Sequence, residues 1–143
     1  MKIKSLNNNI YAVRFEIGDE IIASLQQLMI ENQWGFVKFE GIGAVKDTTF
    51  GYYNFELDQY IWKTMPETLE LTTALGSIAW SVTEPDKPLI HCHITLGNKQ
   101  YQSFAGHLKS ATIAFTGEFF INVVSNEKKY RQPLTKNTTL WDI

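Results

Sequence analysis

Residues 10–17, IYAVRFEI, alternate apolar and polar positions, the period of two that a half-buried strand requires. From residue 19 the period lengthens. Ile21, Ile22, Leu25, Leu28 and Met29 fall on one helical face, and Gln26, Gln27 and Glu31 fall off it. This predicts an amphipathic helix over about 19–33, capped by Asp19 and closed at Gly35 by a left-handed cap. Beyond it the chain reads as β. Strands are expected at 36–45, 48–55, 59–65, 89–96 and 111–124, with one long strand or two over 68–82, where Gly76 allows a bend or bulge. Residues 101–108 read as a returning strand, with a short helix near 103–112 as the alternative. EPDKP at 84–88 and Gly97-Asn98-Lys99 read as turns. The expected class is α+β, a mainly antiparallel or mixed sheet with one long N-terminal amphipathic helix.

At 143 residues the chain suits one domain, 1–143, with a core of about 10–124 and a polar tail from 125 in which Leu140 and Trp141 dock locally. A hydrophobic share of 44% argues against disorder. No apolar run is long enough to span a membrane, and the N-terminus lacks the apolar block of a signal peptide, so the expected location is cytoplasmic with no membrane partner. The lone Cys92 has no internal disulfide partner. The net charge of −2 and only two arginines, Arg14 and Arg131, disfavour a duplex-DNA binder, which needs a basic surface to neutralise phosphates. The densest basic cluster, Lys128, Lys129 and Arg131, reads as a solvated turn.

The candidate chemistry lies in the histidines, all of which fall between 91 and 107. His91 and His93 are two apart on a strand and share a face. The turn at 97–99 returns the chain, and His107 can meet them, with Gly106 allowing close approach. Three neutral imidazoles make a ligand set for zinc or another divalent transition metal; the alternative is a histidine pair that binds nothing. Cys92 points to the opposite face and reads as a small buried residue. Glu70 is a candidate general base or supporting carboxylate if its strand neighbours the histidines, and otherwise a surface acid. Glu118, in an apolar strand, is expected to be buried and paired with Arg14 or Lys109. Gly41 and Gly43 precede a strand and suggest a bulge rather than a phosphate loop. The aromatics Phe50, Tyr52, Tyr53, Phe55, Tyr60 and Trp62 suggest strand packing or an oligomer interface.

PLIHCHITL at 88–96 followed by FAGHL at 104–108 resembles the signature of the plants and prokaryotes conserved (PPC) family, a Leu-His-x-His strand and then Gly-Gly-His-Leu, with Ala105 in place of the first glycine. FEGIGAV at 39–45, LELTTALGSIAW at 69–80 with Glu70 and Gly76, and ATIAFTGEFFI at 111–121 with Glu118 resemble its other segments, in consistent order from about 10 to 122. The resemblance implies a homotrimer whose His91, His93 and His107 bind a metal, often zinc, and a fold like that of acetolactate decarboxylase. In plants the domain follows AT-hooks in DNA-binding proteins; the Arg-Gly-Arg-Pro core of an AT-hook is missing from this sequence. The implied function is a stand-alone metal-binding module of regulatory type with a protein or small-molecule partner. The alternative is a zinc-dependent hydrolase or lyase acting on a small oxygen-bearing substrate.

Overall fold

The computed structural model describes residues 1–142. Its elements in chain order are β1 (Lys2–Ser5), β2 (Ile10–Phe15), α1 (Ile21–Glu31), β3 (Phe36–Asn54), β4 (Gln59–Met65), β5 (Leu69–Ser81), β6 (Pro88–Gly97), β7 (Ser103–Ser125), β8 (Tyr130–Pro133) and β9 (Thr139–Asp142). The nine strands form one sheet in the order β1-β2-β7-β3-β5-β8-β9, with β4 on β3 and β6 on both β5 and β7. Because β3 also pairs with both β5 and β7, these long strands close on one another. No helix among the described residues is long and apolar enough to cross a membrane.

The expected α+β class with a long N-terminal helix is corrected: 63% of the chain is strand, and the one helix has 11 residues. Its ends explain the shortening. Glu20, not Asp19, is the N-cap; its backbone is extended and its carboxylate accepts from the Ala23 N–H at 2.6 Å and the Ala111 N–H at 3.0 Å. The Asp19 carboxylate instead accepts from the N-terminal ammonium and the Glu16 N–H, both at 2.9 Å. At the other end Gln33 takes the left-handed conformation, φ 54°, and the Trp34 N–H reaches back to the Met29 carbonyl. Gly35 does not close the helix; a Cβ there would lie 2.1 Å from the Glu127 carbonyl oxygen, so glycine lets that chain approach.

Four expected strands merge into two. The segments at 36–45 and 48–55 are the single 19-residue β3, and those at 101–108 and 111–124 are the 23-residue β7, which leaves no helix near 103–112. The segment expected over 68–82 is one strand, β5, whose irregularity falls between Leu71 and Thr73 rather than at Gly76. β3 bulges between Gly41 and Gly43, as their spacing suggests. One sheet face carries Val13, Phe15, Val37, Phe39, Phe119, Ile121 and Val123, buried against Ile21, Leu25, Leu28 and Met29 of α1 in one core. The opposite face has no helix over it and leaves Ile42, Leu75, Phe120 and Val124 exposed. Glu118 belongs to this exposed face, across from Arg14, so the expected buried acid is corrected to a surface one.

Candidate metal centre

His91 and His93 sit on β6, His107 on β7, and β6 pairs with β7 so that His93 lies directly opposite His107. Tyr101, φ 60°, and the Asn98 carboxamide, which accepts from the Gln100 and Gln102 N–H groups, form the turn that sets this register. At Gly106 a Cβ would lie 2.7 Å from the Gly51 carbonyl oxygen, so the missing side chain lets β7 press against β3 beside His107. The three ring pairs have centroids 5.1, 5.2 and 5.6 Å apart. One nitrogen from each ring can be chosen so that all lie within 4.8 Å of one another.

The Nε2 atoms of His91 and His93 are 3.2 Å apart. Ligands at about 2.1 Å in tetrahedral coordination stand roughly 3.4 Å from one another, so this pair already has suitable spacing. His107 is half-buried, and its Nδ1 is enclosed with no hydrogen-bond partner. Tyr60, stacked on Trp62 at 4.6 Å, packs against its ring at 4.8 Å. Burial, and after it the neighbouring His91, His93 and Arg131, pushes the His107 pKa down to about 4. Burial, then Arg131 and His93, lowers that of His91. Both shifts favour the neutral imidazole that metals require.

The low pKa of His107 has a sign. Unfolded, the residue takes up a proton near 6.5; folded, it refuses one until about 4. Its contribution is intact above the upper value and lost as pH falls through that window. Metal-free protein should therefore unfold at lower urea as pH drops from 6.5 to 4, and His107→Gln should flatten the slope. An unchanged slope in the variant would show that other groups set it.

The sequence reading missed Arg131. Lys128 and Lys129 are exposed and lie outside the strands, as a solvated turn requires, but Arg131 is not part of it: β8 runs parallel to β5, with Ser81 paired to Arg131, and Arg131 is only 5% exposed. Its Nη2 donates to His91 Nδ1 at 3.1 Å, its Nε donates to Thr139 Oγ1 at 3.1 Å, and its Nη1 is buried without a partner. A guanidinium only donates, so His91 Nδ1 accepts and its Nε2 carries the hydrogen directed at His93. Lys128 bonds Asp86 and lies 4.0 Å above the Trp80 ring, and Lys129 pairs with Glu127. Being one of only two arginines was the one available signal.

Glu70 is not brought to this group. His93 pairs with Leu75 and His91 with Ser77, whereas Glu70 pairs with Gly97, five residues from Leu75 along β5. At about 3.3 Å per residue that is roughly 16 Å. Cys92 is buried on the other face, its thiol pushed up to about 12 by that burial.

Residues 4–125 match the family model of the Plants and Prokaryotes Conserved (PCC) domain. No curated protein sequence matches the chain. Among solved structures, a "putative DNA-binding protein" from Bacteroides thetaiotaomicron is 29% identical, with TM-score 0.87 over 99% of this chain and 96% of the other. A metal-containing protein from Archaeoglobus fulgidus is 27% identical, with TM-score 0.82 over 99% of both chains. A plant- and prokaryote-conserved protein from Pyrococcus horikoshii, 24% identical with TM-score 0.85 over 99% of this chain and 94% of that one, shares the fold.

Proposed function

Since the chain belongs to the plants and prokaryotes conserved domain family, we propose that it acts as a stand-alone metal-binding module of regulatory type, a homotrimer holding one zinc or similar divalent ion per chain. His91, His93 and His107 are the proposed ligands. The observation that carries this reading is the convergence of three imidazoles, every histidine in the sequence, within 4.8 Å. The similarity to a protein described as metal-containing supports it. A cytoplasmic location is part of the same proposal.

DNA enters this reading only as a weak, non-specific partner, whatever the similar Bacteroides protein binds. The net charge is −2, Arg131 is buried, and Lys128 and Lys129 have acidic neighbours. A specific duplex site needs several free cations on one face. A second reading, a zinc-dependent hydrolase or lyase on a small oxygen-bearing substrate, is favoured by the cavity beside the histidines, lined by His91, His107, Tyr60 and Arg131. Zinc would supply a Lewis acid that polarises such a ligand.

Elemental analysis of untagged protein, loaded with zinc and desalted, should give about one metal per chain. Background metal only would sink the module and the enzyme alike. A duplex titration at about 150 mM salt should give at most micromolar, salt-sensitive binding; a nanomolar, sequence-dependent complex would restore DNA as the ligand.

A further inference from the structure

Among the described residues, Arg131 is a buried cation with no counter-charge. Among the described residues no carboxylate forms an ion pair with it. Its protein partners are neutral: His91 Nδ1, Thr139 Oγ1 and the Thr139 carbonyl at 3.4 Å. One guanidinium nitrogen, Nη1, is buried with nothing to bond. Burying a charge without an opposite charge or full hydrogen bonding is costly, so the unsatisfied Nη1 points to a partner beyond the described residues.

The surroundings are built to hold it. Residues 126–142, beyond the family match, fold into the β8–β9 hairpin, whose Arg131 lies 6.0 Å from the Trp141 ring. The linking loop is tied to the β3–β4 turn, where Asn137 Nδ2 donates to the Asp58 carbonyl at 2.9 Å and Thr135 Oγ1 lies 3.1 Å from the Tyr53 hydroxyl. Between hairpin and histidines lies a cavity of about 210 Å³ lined by Tyr60, His91, His107, Arg131, Asn137 and Thr139. That is below the size of pockets for drug-like molecules, and suits a few heavy atoms.

We propose that this cavity is a binding site for a small carboxylate bearing a second oxygen function, with Arg131 taking the carboxylate and the second oxygen directed toward the three histidines. The inference rests on the metal reading above. When His91 gives its Nε2 lone pair to a metal, its hydrogen sits on Nδ1, which then cannot accept from Arg131. Nη2 then loses one of its acceptors beside the unpartnered Nη1, and a carboxylate can supply both nitrogens of that fork with two parallel hydrogen bonds. Phosphate also fills the fork and has further oxygens to direct at the histidines, so it is the competitor against which the planar carboxylate is tested. Arg131 is on this account a binding residue of the hairpin, facing the metal centre without coordinating it.

The test uses zinc-loaded full-length protein and isothermal titration with three probes: glycolate, ethylene glycol and inorganic phosphate. Glycolate should bind and displace phosphate, and ethylene glycol, which lacks the carboxylate, should not bind. Arg131→Met should weaken glycolate at least tenfold while keeping its zinc. Arg131→Lys, which keeps the charge and stem but loses the fork, should fall between, and it carries the test if the methionine variant does not fold. Equal glycolate affinity in wild type and variants would overturn the site and leave the metal reading standing. Phosphate binding more tightly than glycolate would overturn the carboxylate assignment. Failure of wild-type protein to hold zinc would instead remove the metal reading, and this inference with it.

Discussion

His93→Ala will bind zinc at least about a hundredfold more weakly than wild type when the two are titrated against a competing chelator. Loss of groups that merely orient a metal ligand costs roughly ten- to a hundredfold, and loss of a ligand itself should cost no less. His93 is the cleanest of the three to remove. It is exposed, it lies 3.2 Å from His91 Nε2 and directly opposite His107, and its ring supports no part of the core. His107→Ala should lose zinc equally but also opens a gap against Tyr60, so its stability will fall as well. Cys92→Ala is the control: its thiol is on the buried face, and zinc affinity should stay within about twofold of wild type, well inside the hundredfold attributed to a ligand. A His93→Ala protein that holds zinc as tightly as wild type would remove His93 from the ligand set.

The histidine cluster was legible because it is local. An i, i+2 pair on a strand and a turn six residues later determine which side chains meet, with little help from the rest of the fold. Arg131 was not legible, because its burial depends on the hairpin folding back along β5, where Arg131 pairs with Ser81, fifty residues earlier in the sequence. A basic, polar segment gives no sign of that return. The position of Glu70, away from the histidines of its own chain, was hidden for a related reason. The pattern marked it as part of a strand, but its distance from His93 follows from the β5–β6 register, which the sequence does not state. The long strands were broken too early at Lys46-Asp47 and at Lys109-Ser110, residues that punctuate isolated strands but are tolerated where a partner strand runs past them. β7 pairs with β3 at Lys46 and again at Thr49, across the irregularity at Asp47, and it continues along β3 past Ser110. The helix was overextended because Gln33, not a glycine, takes the left-handed position.

Phe120→Asp is expected to convert a trimer into a folded monomer. The wild-type protein should scatter light with the mass of three copies of the 16.4 kDa chain, and the variant with the mass of one. The reason lies on the bare face of the sheet. Register aligns Ala12, Phe120, Glu40, Leu75 and His93 in one row across five strands. A second row aligns Asn122, Lys38, Ser77 and His91. Phe120 and Val124 are each 55% exposed and Leu75 50%, on a face with no helix to cover it. Large apolar side chains exposed together on one sheet face, here set among Glu40, Lys38 and Asn122, mark an interaction site more often than a solvated one. Because the rows end on His91 and His93, a neighbour seated there would border the metal centre, and assembly and metal binding should be linked. Phe120 points out of its own subunit, so a charge there spares the core and acts on the contact alone. Circular dichroism should therefore match wild type while the mass falls. A wild-type monomer at micromolar concentration would count decisively against the trimer. A trimeric Phe120→Asp protein would move the interface off this face, for three buried aspartates could not be accommodated there without counter-charges.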